Sequence, residues 1–185
     1  MKFLVIETSC EKSFVLLSCK GVVTQVALPP RGQRDHLLLG IDQLLTSASL
    51  KLNDLDFIGV GNGPGSFTGT RIGVLTAKTL CFAKNLPLIS FCSLLAYTPP
   101  TSKPFQLIVD AKSHGFYIYD GTTTSLESTL PETQALFSLH PDRIPKPTTQ
   151  ATFNLPFLIK HLERSFAKGE TISHSSLEVT YLHSP

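Results

Sequence analysis

Several features that mark common protein classes are missing from this sequence of 185 residues. Its four cysteines lie far apart and form no C-x-x-C pair, which excludes a zinc ribbon or a redox dithiol built on that motif. The net charge is only +2, and lysines and arginines form no run, so we expect no nucleic-acid surface formed by this chain alone. Reduced thiols in a cytoplasm fit the cysteine pattern. The cysteines are Cys10, Cys19, Cys81 and Cys92.

Long apolar runs are also missing. The opening run ends at Glu7, well short of the length of a signal peptide. The apolar stretch over 74–83 is interrupted by polar residues and falls far short of the roughly 20 apolar residues of a membrane span. We therefore expect a cytoplasmic protein, with enough residues for one compact unit or two small subdomains.

Apolar runs of strand length alternate with helical patterns along the chain. Asp35 is placed to cap the first helix, and a glycine-rich loop leads into the second, so strand, loop, helix and strand follow in the order of a right-handed βαβ crossover. Strands are predicted over 3–6, 14–17, 22–28, 57–61, 87–91, 105–109, 116–119 and 122–130, and helices over 35–49, 70–83, 133–139 and 155–167.

The second half repeats the opening of the chain. LVIE at 4–7 corresponds to LIVD at 107–110, because each is an apolar strand that ends in an acid and is followed by a hairpin. A proline-rich connection separates the two copies, which predicts an internal duplication. The predicted division is an N-terminal subdomain over 1–98, a connection over 99–104 and a shortened C-terminal subdomain over 105–185.

Glu7 and Asp110, which end the equivalent strands, have two interpretations. Actin-like and sugar-kinase-like ATPases place acids there near a magnesium-bound phosphate, with glycines such as Gly63 and Gly65 in the loop that faces the anion. Alternatively, each acid caps a turn. The turn-capping interpretation is favoured, because no adenosine-binding glycine motif follows in the second half. The loop itself lacks P-loop spacing and fails the G-x-G-x-x-G pattern at Ser66, which disfavours phosphate binding there. The four residues remain weak candidates for cofactor binding.

A ridge of small residues also has two interpretations. Gly69, Gly73 and Ala77 lie four residues apart and so share one face of the second helix. They could pack on the sheet, or they could join the broad apolar face of the first helix in an interface with another chain. The interface is favoured, because the apolar arc of the first helix exceeds what one sheet contact requires.

Patterns that carry catalysis or metal binding are not evident. No two of the six histidines lie three or four residues apart, so we expect no metal site. No G-x-S-x-G elbow surrounds a serine, so we expect no catalytic nucleophile and no catalytic residues.

The segment GNGPGSFTGTRIG at 61–73 resembles the signature of the TsaB family. The resemblance extends to VIETS at 5–9, LIS at 88–90 and VDAK at 109–112, and covers roughly residues 1 to 120. It implies an α/β fold of the ASKHA superfamily: an actin-like, ribonuclease H-like duplicated two-subdomain structure with mixed sheets and flanking helices, here with the second subdomain reduced. YLH at 181–183 departs from the family pattern, which leaves the role of the C-terminal part open.

The resemblance also implies a function. Members are non-catalytic paralogues of TsaD that pair with TsaD and support the ATPase TsaE in threonylcarbamoyl transfer to adenosine 37 of tRNA. It implies no cofactor on this chain, ATP and a metal on the partner subunits, tRNA contact only through the complex, and a possible homodimer in isolation. The competing hypothesis is an autonomous ATP-dependent enzyme of the actin or sugar-kinase type. The expected partner interface comprises Leu38, Ile41, Leu45, Gly69, Arg71, Ile72, Gly73, Thr76 and Ala77.

Overall fold

The computed structural model describes residues 1–10, 12–29, 33–132, 135–173 and 175–179. The departure noted at 181–183 lies outside these residues. The strands are β1 Lys2–Glu7, β2 Phe14–Cys19, β3 Val22–Ala27, β4 Phe57–Gly61, β5 Leu88–Phe91, β6 Gln106–Asp110, β7 Phe116–Tyr119, β8 Thr124–Glu127, β9 Leu136–Ser138 and β10 Thr149–Gln150. The helices are α1 Gln33–Ser47, α2 Phe67–Lys84 and α3 Leu155–Ala167.

Two five-stranded sheets share one topology. The first has the order β3-β2-β1-β4-β5, and the second, read in the matching direction, has the order β8-β7-β6-β9-β10. In each sheet the first three strands along the chain pair antiparallel and the last two add in parallel. The predicted duplicated α/β fold with mixed sheets is therefore confirmed.

The connections between equivalent strands differ. In the first sheet, α1 joins β3 to β4 and α2 joins β4 to β5, whereas the described connections of the second sheet contain no α-helix. The helix expected over 133–139 is wrong, because Leu136–Ser138 forms β9; residues 133 and 134 lie outside the described part. A hydrogen-bonded contact joins the connection before β9 to the connection after it. Lys146 Nζ donates to the carbonyl oxygens of Leu130 at 3.4 Å and Pro131 at 3.0 Å. The second copy is thus reduced, as predicted.

Helices cover both faces of the first sheet. On one face, α1 packs over β2 and β3, and α2 packs over β1, β4 and β5. On the other face, the rings of Phe3 and Phe57 stack at 4.5 Å, and Phe57 stacks on Phe166 of α3 at 4.8 Å. This double burial explains why β1 and β4 are continuous apolar runs.

The chain divides into two compact units, of which the first contains Met1–Ser93 and the described residues of Lys160–Thr180, and the second contains Leu94–Ile159. The second unit therefore differs from the predicted subdomain over 105–185, because the end of α3 returns to the first sheet. There, Leu162 packs against Gly59, where an added Cβ would lie 3.2 Å from Leu162 Cδ1. A glycine inside a buried strand was the available signal for this close approach.

Helix starts differ slightly from prediction. α2 begins at Phe67, where Ser66 Oγ accepts a hydrogen bond from Gly69 N–H at 3.2 Å, so the glycine loop is shorter than expected. Asp35 lies in the first turn of α1 and is not its N-cap. Within the described ranges, no helix is long and apolar enough to cross a membrane.

Candidate functional site

The small-residue ridge of α2 faces the first sheet. Gly69, Gly73 and Ala77 are all buried. A Cβ on Gly73 would overlap Thr8 Oγ1, which itself donates a hydrogen bond to the Gly69 carbonyl oxygen at 2.7 Å. The ridge therefore lets α2 approach the end of β1 closely, so packing within the chain, the alternative reading of the sequence, is the correct one.

Two α1 residues of the expected interface are buried as well. Ile41 is 4% exposed and Leu45 is 7% exposed, and both belong to the core between α1 and the sheet. The expectation that a partner touches these residues directly is wrong, because helical periodicity identifies an apolar face without saying what covers it. The buried members of the expected interface are Ile41, Leu45, Gly69, Gly73 and Ala77.

The opposite sides of the same two helices carry large apolar side chains in solvent. Leu38 remains from the expected interface at 58% exposure, Arg71 is exposed, and Ile72 and Thr76 are partly exposed. The Arg71 guanidinium lies 3.6 Å from the centre of the Phe67 ring, a cation–π contact. We call the exposed apolar set the apolar stripe; it comprises Leu38 and Leu39 of α1 with Phe67, Leu75 and Phe82 of α2.

The stripe on α2 was missed from the sequence, although its signal is present. Phe67, Arg71, Leu75 and Phe82 recur at whole helical turns, which places them on one side of α2. Their period is the same as that of the buried ridge, so only contact with the sheet decides which side is in solvent. Leu75 is 66% exposed and Phe82 is 71% exposed.

The glycine loop between β4 and α2 is filled by the chain itself. Ser66 N–H donates to the Ser9 carbonyl oxygen at 2.7 Å, and Gly63 N–H donates to Ser93 Oγ at 3.1 Å. A Cβ on Gly65 would overlap the same Ser9 carbonyl, so this glycine permits a contact between two loops. Two backbone donors of the loop, Gly63 N–H and Ser66 N–H, are thus already paired within the chain.

Glu7 is completely buried beside this loop. Its Oε1 accepts hydrogen bonds from Ser9 N–H at 2.7 Å and from Ser9 Oγ at 2.5 Å, whereas Oε2 has no hydrogen-bond partner among the described residues. Burial raises the pKa of Glu7 above its ordinary value, and the polar groups of Ser9, Ser93 and Cys10 around the carboxyl group only partly oppose this shift. The carboxyl group therefore holds its proton more strongly than an exposed glutamate.

Asp110 occupies the matching position at the end of β6. Its Oδ1 accepts a hydrogen bond from Lys112 N–H at 2.7 Å, just as Glu7 accepts one from the residue two positions ahead. Both acids therefore cap the turn after their strand, and the duplication extends to these hydrogen bonds. Among the residues that the structure describes, no three histidine, cysteine, aspartate or glutamate side chains form a group able to hold a metal ion.

Replacing Glu7 by glutamine is expected to stabilise the protein at about pH 8 and to have little effect at about pH 5. The folded chain binds the Glu7 proton more tightly than the unfolded chain does, so this contribution to stability is complete below the unfolded pKa and is lost as pH rises through the folded pKa. Thermal unfolding of wild type and Glu7→Gln across this pH range measures the difference, which should grow with pH.

Asp120→Asn is the control for this titration. Hydrogen bonds from Thr123 and Thr122 lower the pKa of Asp120, so its contribution is present above the unfolded pKa and is lost only as pH falls through the folded pKa. This variant should therefore keep the wild-type slope between about pH 5 and pH 8. If the stability of Glu7→Gln instead varied with pH in parallel with that of wild type, burial would not raise the pKa of Glu7.

Fold and site together define a class: a duplicated, actin-like α/β protein whose glycine loop is closed by its own chain and whose two long helices present an apolar stripe. A family model described as TsaD, tRNA N6-adenosine threonylcarbamoyltransferase, matches residues 17–171. The chain belongs to this family.

Relatives and a solved structure refine the similarity. The chain is 37% identical over 97 residues to the tRNA threonylcarbamoyladenosine biosynthesis protein TsaB of Haemophilus influenzae, a match that covers 52% of this chain and 41% of that protein. It is 35% identical over 96 residues to TsaB of Escherichia coli K12, covering 51% and 42% respectively. The chain thus matches less than half the length of these relatives, and the resemblance to TsaB seen in the sequence is confirmed.

The fold similarity covers nearly the whole chain. A crystal structure described as an uncharacterized protein with similarity to peptidase YEAZ, from Pseudomonas aeruginosa, superposes with a TM-score of 0.81 at 23% identity. The superposition covers 98% of this chain and 99% of that one. At this level of identity the likeness shows the fold alone.

Proposed function

We propose that this chain is a non-catalytic subunit that pairs with TsaD and supports TsaE during threonylcarbamoyl transfer to adenosine 37 of tRNA. The observation that carries the proposal is the apolar stripe on α1 and α2. Membership of the TsaD family and the TsaB relatives support the choice of pathway. In this proposal the chain acts in the cytoplasm and meets tRNA only within the complex.

The stripe has the composition of a docking surface. Apolar patches that stay in solvent mark interaction sites, and aromatic residues with arginine dominate the energetic centres of interfaces. Phe67 with Arg71 provides such a centre, and Leu75 and Phe82 continue it along α2. Both helices are fixed on the sheet by their buried sides, so little ordering would be needed on binding.

We further propose that ATP and the metal are held by the partner subunits. The closed glycine loop supports this proposal, because Ser66 N–H and Gly63 N–H are already bonded to Ser9 and Ser93. The complete burial of Glu7 supports it as well, because a carboxylate that positions magnesium must be charged and accessible.

Mixing this protein with TsaD of its own organism tests the proposal. We expect a 1:1 complex at micromolar concentrations, measured by size-exclusion chromatography with light scattering. A homodimer of the isolated chain is compatible with the proposal, provided that TsaD converts it to the 1:1 complex. No complex at these concentrations would overturn the pairing.

Calorimetry with ATP and ADP addresses the competing hypothesis of an autonomous ATP-dependent enzyme. The isolated chain should show no binding at millimolar nucleotide. Binding that is lost in Glu7→Ala would instead support the enzyme, with Glu7 and Asp110 near magnesium.

A further inference from the structure

The residues after α3 return to α2 and cover one of its flanks. Ile172 N–H donates to the carbonyl oxygen of Leu88 at 2.8 Å, which pairs the segment with the edge strand β5. Leu177 is only 2% exposed and belongs to the core cluster that contains Val74, Ala77 and other α2 residues. We call the described residues of 172–179 the clasp.

The clasp also binds a charged group next to the apolar stripe. Lys78 Nζ donates a hydrogen bond to the Leu177 carbonyl oxygen at 2.9 Å. Lys78 lies about one helical turn from both Leu75 and Phe82, on the side of α2 that carries the stripe. Its half-buried side chain therefore passes between the stripe and the clasp.

We propose that the clasp prepares the stripe for its partner by holding the Lys78 ammonium group at the Leu177 carbonyl. This inference rests on the proposed function and concerns the regulation of the same surface. A partner that covers Leu75 and Phe82 must also desolvate whatever lies between them, and an unpaired ammonium group is costly to bury. With the clasp closed, that group already has an acceptor at the border of the stripe.

The clasp has few anchors, so it can open locally. Within the described residues it is held by one bridge at Ile172, the buried Leu177, the bond from Lys78, and the partly buried side chains of Ile172 and Val179. Opening would return the ammonium group to the stripe and weaken docking. By reciprocity, the factor by which a closed clasp raises the affinity for the partner is also the factor by which a bound partner shifts the clasp toward its closed form.

A double-mutant cycle measures this coupling. Leu177→Ala removes the buried anchor and is expected to weaken binding to TsaD about tenfold, the effect of losing one hydrogen bond to a charged group. In the Lys78→Met background, where no charge needs an acceptor, the same Leu177→Ala change should alter affinity by less than about threefold. Leu177→Met keeps an apolar anchor and serves as the conservative control.

A second measurement uses the wild-type chain only and so does not depend on how the variants fold. Glu178 is exposed, and a glutamate-specific protease can cut after it when the clasp opens. Cleavage there, followed by mass spectrometry, should slow several-fold when TsaD is bound.

The outcomes separate the two proposals. If wild type forms no TsaD complex, the proposed function fails and the clasp inference fails with it. If the complex forms, but Leu177→Ala weakens it equally in both backgrounds or the clasp is not protected, only the clasp inference is overturned.

Discussion

Leu75→Asp is expected to lose the proposed binding to TsaD at micromolar concentrations while its melting temperature stays close to that of wild type. Leu75 is 66% exposed in the middle of the stripe on α2, so aspartate is fully hydrated in the free chain. Docking would strip water from the carboxylate in an apolar contact, which costs several kcal/mol and weakens binding by roughly a hundredfold or more. Size-exclusion chromatography with light scattering and thermal unfolding measure the two quantities.

Val22→Asp is the matched control for Leu75→Asp. Val22 has the same 66% exposure but lies at the start of the edge strand β3, outside both helices. It should bind TsaD like wild type, and equal loss of binding in both variants would point to a nonspecific effect of charge. Gly73→Glu and Ile41→Asp, at positions of the interface expected from the sequence, cannot test docking separately from folding. Both positions are buried, so these variants should unfold.

Gly61→Ala is expected to destabilise the protein strongly. A Cβ at this position would overlap Glu7 Oε2 and lie 2.7 Å from Ser93 Oγ, and both residues are completely buried. The carboxyl group cannot move away without breaking its bonds to Ser9. We expect a loss of roughly 3 kcal/mol or more, which corresponds to a fall in melting temperature of roughly 6 to 12 °C.

A double variant shows whether the loss comes from the contact with Glu7. Glu7→Ala removes the carboxyl group that an alanine at position 61 would overlap. The double variant should therefore lose less free energy of unfolding than the sum of the losses in the two single variants. Gly21→Asn is the control for glycine replacement in general: no atom lies within 4 Å of its added Cβ, and asparagine tolerates its positive φ of 82°. Additive losses would contradict the proposed overlap.

Local sequence patterns predicted most of the elements. β4, β7 and α3 have the predicted bounds, because each is a clear apolar run or a helical pattern with turn residues on both sides. The duplication followed from two short segments, 4–7 and 107–110, and the sheet orders confirm it. These features depend on neighbours along the chain, which is the information that a sequence carries directly.

The errors concern contacts between distant residues. The ridge at Gly69 and Gly73 and the stripe at Leu75 and Phe82 share one helical period, and only the packing of α2 on β1 tells them apart. The return of α3 to Gly59 links residues about a hundred positions apart, for which the sequence offered one buried glycine as a signal. β9 has three residues, too few to show a period.

The unequal halves of the duplication limit how the chain can assemble. Between the described strands of the second sheet there is no α-helix equivalent to α1 or α2, so the stripe exists on one copy only. A subunit with one such surface can be joined to one neighbour through it, whereas a filament requires two different surfaces on each subunit. The duplication therefore repeats the sheet without repeating the surface, so an assembly built on the stripe alone closes after one contact.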